Sequence, residues 1–125
     1  MLLKSRLPML GICFGHQIIG MHFGAKISKG EERRGDEEIE ILKPSKLFMD
    51  INEKVIIQQE AHFEEITLPE KFQLLATSRR TNNEAMEHKE KPIWGTQFHP
   101  EVSGKIGQKI IKNFLSLTKP QICKH

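Results

Sequence analysis

In this chain of 125 residues the side chains best suited to chemistry are Cys13, His99 and Glu101. Cys13 sits between Gly11 and Gly15 in "GICFGHQ", where an apolar run stops and a helix-like run starts. Two glycines at that spacing let a strand and a helix pass closely at a sharp turn. This is the arrangement of the G-x-S-x-G nucleophile elbow with sulfur in place of oxygen. A thiol at the first turn of a helix faces the positive end of the helix dipole, which is expected to lower its pKa and enlarge the thiolate fraction. The amide of the next residue, Phe14, would point to where an oxyanion forms, so the spacing suggests acyl transfer.

A cysteine nucleophile needs a base, and the base needs an orienting group. His125 is terminal, His88 lies in the charged turn "EHKEKP", His22 is mid-helix where a core or partly buried imidazole fits, and His16 has a positional or capping place at the helix start. None of these brings a carboxylate with it. His99 in "QFHPE" does: it ends a β-like run, Pro100 restricts it to extended conformations, and Glu101 falls two positions on, on the same side of an extended segment. A lone free cysteine is more often a small core residue, and "HPE" alone reads as a surface turn. Together, at strand ends, the two motifs point to a Cys-His-Glu triad, because the C-terminal ends of strands in a parallel α/β sheet share one edge.

The elements that must position these groups are short. "PMLGIC" reads as a buried strand, and "HQIIGMHFG" as a helix with Ile18, Ile19, His22 and Phe23 at three-and-four spacing. The charge run "EERRGDEE" reads as a solvated loop or a lid over a cleft, leading into a half-exposed strand at "EIEIL". "KVIIQQ", "FQLLATS", "NEAMEH" and "PIWGTQF" follow as β-like segments broken by turn residues. "SGKIGQKIIKNFLSL" reads as an amphipathic helix with Ser103 as N-cap and Ile106, Ile110, Ile111, Phe114 and Leu117 on one face, and the tail "QICKH" as frayed. No linker or repeat divides residues 1–125, so a single α/β domain is expected.

Charge and cysteine usage narrow the classes. The net charge of +3 comes from 19 basic and 16 acidic residues that are well mixed, which favours no nucleic-acid surface. The two cysteines, Cys13 and Cys123, form neither a disulfide framework nor a metal pattern, and read as reduced thiols of a cytoplasmic protein. "MLLKSRLP" is too short for a secretory signal, and no apolar run approaches the length of a membrane span.

"PMLGICFGHQ" with "GTQFHPEV" resembles the class I glutamine amidotransferases, and the similarity runs over nearly the whole chain. The segments between, including "QQEAHFEEI" and "EAMEHKEKPIWG", are most similar to the glutaminase domain or subunit of GMP synthetase. The resemblance implies a mostly parallel open sheet with flanking helices and an added antiparallel β segment, of which this chain holds the C-terminal two-thirds. It implies that Cys13 attacks the side-chain amide of L-glutamine to form a γ-glutamyl thioester, that His99 protonates the departing ammonia and later activates water, and that Glu101 orients His99. Phe14 would supply an oxyanion amide and Gln17 would contact the bound glutamine. Ala61, His62 and Phe63 would belong to a loop whose backbone holds the amino-acid end of glutamine.

By the same resemblance the ammonia passes to a synthetase partner that uses ATP and magnesium. This chain, lacking a phosphate-cradling Gly-Lys motif, needs no cofactor or metal of its own. It departs from the family pattern in three ways. By comparison with that pattern, the strands and the glycine-rich oxyanion loop expected before the elbow would be missing. Ala61 and Phe63 replace a serine or asparagine and a small residue, and "SGKIG" stands where a His-Thr pair follows the "HPEV" motif. Two other readings of the same residues are a related γ-glutamyl hydrolase and a truncated or non-catalytic regulatory or interaction module derived from this fold.

Overall fold

Short runs in which every residue is buried mark the centre of the sheet. The computed structural model describes residues 7–117 and 119–124. In it β1 (Met9–Ile12) and β6 (Ile93–Thr96) are buried throughout and pair in parallel, with Leu10 opposite Trp94. Side chains alternate across a strand. Leu10, Ile12 and Trp94 therefore pack with Ile110 and Phe114 of one helix, while Met9 and Ile93 pack with Ile19 of another on the opposite face. Those helices are α1 (Phe14–His22), directly after β1, and α2 (Gly104–Leu115), after β6. Phe114 meets Trp94 edge to face at 6.1 Å, and truncating a fully buried phenylalanine of this kind costs about 3–5 kcal/mol.

The remaining strands are β2 (Ile27–Ile41), β3 (Val55–Ile66), β4 (Phe72–Thr77), β5 (Ala85–His88) and β7 (Gln121–Cys123). One seven-stranded sheet runs in the order β3-β2-β4-β5-β6-β1-β7. The α/β class and the added antiparallel segment are as expected, but the balance differs: parallel pairing is confined to β6-β1-β7, and the other neighbours are antiparallel. Short turns join β4, β5 and β6, and such turns allow only antiparallel neighbours.

Three segments correct the sequence reading. "EERRGDEE", expected as a loop or lid, lies inside β2, which pairs with β3 from Ile27 opposite Ile66 to Glu40 opposite Val55. Much of this ribbon is solvated, so little apolar alternation advertises it. Arg33 is buried at its bulge, pairing with Glu65 and donating to the Phe63 carbonyl at 2.8 Å. "AHFEE" is likewise strand, within β3, not loop. The tail is not frayed through Cys123, because β7 pairs in parallel with β1 and the Gln121 amide donates to the Pro8 carbonyl at 2.9 Å. His125 and residues 1–6 of "MLLKSRLP" lie outside the described residues.

α2 runs as expected from Ser103, although that side chain does not cap it. Ile110 and Phe114 are buried, and Ile106, Ile111 and Leu117 pack partly against the same core. Among the described residues no helix is long and apolar enough to cross a membrane.

Candidate active site

Cys13 occupies a turn that an L-residue rarely adopts. Its φ of 56° and ψ of −105° put the side chain out of line with β1, a conformation that stores strain of about 1–3 kcal/mol. The turn is held from both sides: the Cys13 amide donates to the Thr96 carbonyl at 2.8 Å, and its carbonyl accepts from the Gln17 amide at 3.1 Å. Gly11 and Gly15 make the approach possible, since a β-carbon on Gly11 would lie 2.6 Å from the Gly15 carbonyl carbon. Strand, positive-φ cysteine and helix thus follow in the order that the Gly-x-Cys-x-Gly spacing suggested.

His99 leaves β6 three residues beyond its end and is pinned to β3, its amide donating to the Gln59 carbonyl at 2.9 Å. Its Nδ1 donates to Glu101 Oε2 at 2.8 Å. The pairing was expected from an extended segment; instead Pro100 opens a 3-10 turn, Pro100–Val102, that swings the carboxylate back to the imidazole. Ser103 secures this turn, donating to the His99 carbonyl at 2.5 Å and accepting from the Gln59 amide at 2.8 Å. Lys124 Nζ stands 3.4 Å from the same Glu101 oxygen. Burial raises the Glu101 pKa, but the His99 hydrogen bond, its own amide and the positive charges of His99 and Lys124 outweigh it and hold the carboxyl below the ordinary value.

The Cys13 sulfur has two hydrogen-bond partners among the described residues, the Ala61 carbonyl at 3.8 Å and the Gln97 amide at 3.9 Å, and the His99 imidazole is not one of them. Burial pushes the thiol above its ordinary pKa; the Phe14 amide opposes this, the Glu60 and Glu101 charges add to it, and the Gln97 bond opposes it. The lowered pKa expected from the helix terminus is therefore reversed, since α1 starts in a partly buried place shared with carboxylates.

The other expected site residues are distributed unevenly. Phe14 is exposed, with its amide beside the sulfur. Gln17 is buried, and its amide donates to the Glu64 carbonyl at 3.0 Å and to Gln97 at 3.3 Å, tying α1 to β3. Ala61 and Phe63 point outward on β3, while His62 points inward to Glu60. Sequence reasoning missed Gln97, although it lies inside the quoted motif, and the role of Ser103, read as a helix cap. It also misplaced His22, which is exposed, and did not anticipate the burial of His88, which ends β5 at the head of the charged turn and accepts from the Glu90 and Lys91 amides of that turn.

Comparison with known proteins adds the decisive observation: the family model of glutamine amidotransferase class-I matches residues 1–117. The chain belongs to this family. Among curated members, a subunit of the glutamine-hydrolyzing GMP synthase of Pyrococcus abyssi is 43% identical over 117 residues, 91% of this chain and 62% of that protein. The Thermococcus kodakarensis protein of the same name is 44% identical with the same coverage. A solved structure from Thermoplasma acidophilum, described as a GMP synthase subunit, superposes with a TM-score of 0.86 at 35% identity, covering 92% of this chain and 59% of that one. A glutamine amidotransferase of Thermotoga maritima superposes at 0.75 with 26% identity over half of its length. This amidotransferase chain thus spans less than two thirds of the relatives it matches.

Proposed function

We propose that this chain is a glutaminase of the class I type, hydrolysing L-glutamine to glutamate and ammonia in the cytoplasm and serving a separate synthetase, with GMP synthesis as the acceptor reaction. The observation that carries the reading is the strained Cys13 at the end of β1 on the sheet edge to which neighbouring β6 delivers the hydrogen-bonded His99–Glu101 pair.

In this reading His99, oriented through Nδ1 by Glu101, takes the Cys13 proton at Nε2 as sulfur attacks the carboxamide carbon. The oxyanion develops against the Phe14 amide, and His99 then protonates the departing ammonia. Water, deprotonated by His99, attacks the γ-glutamyl thioester, releasing glutamate and restoring the thiol. A raised thiol pKa suits this order, because the proton leaves as the base is engaged and not beforehand. The backbone around Ala61–Phe63 would hold the amino-acid end of glutamine. ATP and magnesium would act on the synthetase alone.

Mass spectrometry after incubation with 6-diazo-5-oxo-L-norleucine tests the reading. A single adduct on Cys13, suppressed by glutamine and absent from Cys13→Ala, is the expected result. A folded protein without adduct would favour the non-catalytic module, a reading that the sulfur's hydrogen bonds to Ala61 and Gln97 in place of His99 already motivates. An adduct that γ-glutamyl peptides displace better than glutamine does would favour the hydrolase.

A further inference from the structure

Behind the Ala61 carbonyl lies a buried polar cluster that this chemistry does not use. Glu60 on β3 and Glu84, directly before β5, are 2% and 0% exposed. His62 Nε2 meets Glu60 Oε1, and its Nδ1 donates to the Glu64 carbonyl at 2.9 Å. Ser78 Oγ donates to Glu84 Oε2 at 2.6 Å. The two remaining oxygens, Glu60 Oε2 and Glu84 Oε1, are buried without a hydrogen-bond donor among the described residues, and the two carboxyl groups face each other. Ionised carboxylates only accept, so neither could satisfy the other, whereas one proton between them satisfies both; a second proton lies between Glu60 Oε1 and His62 Nε2, since Nδ1 already serves as the donor to Glu64.

The placement of these two residues is specific. Glu60 and His62 flank Ala61, whose carbonyl is one partner of the Cys13 sulfur. The Glu84 backbone accepts from the Gln97 amide at 2.8 Å, and the Gln97 side chain is the sulfur's other partner. The carboxyl pair therefore bridges the two elements that hold the sulfur from either side. We propose that Glu60 and Glu84, sharing one proton and joined to His62, form a buried strut that sets the spacing of Ala61 and Gln97 across Cys13 and so positions the glutamine-binding backbone of β3. This rests on the glutaminase reading.

The strut has a built-in pH limit. Loss of the shared proton places two carboxylates in contact, and burial already pushes Glu60 up to about 7 and Glu84 well above its ordinary value. The other charged groups facing the cluster are Glu37 and Arg33 of β2, Arg80 of the turn after β4, Glu65 of β3, His16 of α1 and Cys13 itself. Arg33 is bonded to Glu65 and the Phe63 carbonyl, and Arg80 to the Glu32 carbonyl, so their guanidinium bonds go elsewhere.

The test measures KI and kinact for 6-diazo-5-oxo-L-norleucine on the full chain across pH for wild type, Glu84→Leu and Glu84→Gln. Glu84→Leu removes the donor to Glu60 and is expected to raise KI about tenfold, with a much smaller change in kinact. Glu84→Gln restores a donor that cannot ionise, so it should recover most of that loss and keep KI flat above about pH 8, where the wild-type value climbs. Identical weakening of wild type and Glu84→Gln with rising pH overturns the strut, and this comparison stands even if Glu84→Leu does not fold. If wild type takes no adduct, the glutaminase reading fails separately. Iodoacetamide alkylation of Cys13 then decides: a second inflection in the wild-type pH profile that Glu84→Gln lacks supports the strut, and superimposable profiles overturn it.

Discussion

The imidazole of His99 donates to Glu101 Oε2 at 2.8 Å, and Lys124 approaches that same oxygen to 3.4 Å from beyond the end of β7. The carboxylate therefore has two partners: it fixes the tautomer that leaves His99 Nε2 free to accept a proton, and it holds Lys124, the residue after β7. Glu101→Gln keeps the shape but loses the charge, and a reduction in glutaminase rate of about 10²–10⁴ is expected. Lys124→Met should change the rate at neutral pH by no more than about twofold, because the lysine is half exposed and its pair is screened. Removing it also removes one of the influences that hold the Glu101 pKa down, so the acid limb of the rate profile should move to higher pH. An unmoved acid limb in Lys124→Met would show that the contact plays no part in the charge of Glu101.

Cys13 is expected to be a slow thiol in the absence of glutamine. Burial, with Glu60 and Glu101 nearby, disfavours its thiolate, so iodoacetamide alkylation should rise with a midpoint above that of an ordinary cysteine. Glu60→Gln removes one of the opposing charges and should bring the midpoint down. A low midpoint in the wild type would mean that the α1 terminus and Phe14 amide dominate over burial. The strain at φ 56° adds a second expectation, since glycine tolerates this backbone. Cys13→Gly should be more stable to urea than Cys13→Ala by about 1 kcal/mol.

Much of the site was legible because its signals are local. Gly11, Cys13 and Gly15 define a turn within five residues, and the spacing of His99, Pro100 and Glu101 limits where a carboxylate can go. β1 and β6 announced themselves as apolar runs. What stayed hidden depends on partners distant in sequence. β2 is a strand because β3 lies beside it, and nothing apolar in "EERRGDEE" reports that pairing. The thiol pKa reversed chiefly because the fold buries Cys13, and further because Glu60 and Glu101 converge on it from positions 47 and 88 residues away in the chain, which no helix-terminus rule contains. Ser103 looked like a cap for the same reason, its partner Gln59 lying across the fold, and His88 is covered by the distant rings of Phe23 and Phe72 although its hydrogen bonds stay within the turn.

β7 sits against the elbow with almost no tolerance. A β-carbon on Gly15 would fall 1.9 Å from the Cys123 carbonyl oxygen, so Gly15→Ala must displace either α1 or β7. Displacing β7 is easier, because it is a three-residue edge strand. The expected cost is about 1–3 kcal/mol in urea unfolding followed by the fluorescence of Trp94, with faster hydrogen exchange at the Gln121 amide that pairs with Pro8. Unchanged exchange there, with a folded protein, would contradict the docking of β7 on β1.

His16 gives the fold a specific acid sensitivity. The ring is fully buried beside Gly95, where a β-carbon would lie 2.4 Å from Nδ1, and burial lowers its pKa to about 3. The unfolded chain has an ordinary imidazole near 6.5 and takes up a proton that the folded state refuses. Stability from this residue is thus fully present above that value and falls as pH drops from about 6.5 towards 3, at up to about 1.4 kcal/mol per pH unit. Glu60 and Glu84 act in the opposite sense, since carboxyls with raised pKa values stabilise the fold as pH falls through their window. Glu101, held low, begins to matter only below the ordinary carboxylate value of 4.5. A difference measurement separates them: His16→Phe removes the imidazole and leaves the carboxyls, so subtracting its urea stability from that of the wild type isolates one proton. The difference should slope by about 1.4 kcal/mol per unit between pH 4.5 and 6. A flat difference across that range would mean that His16 is protonated in the folded state and that its pocket admits a counter-charge.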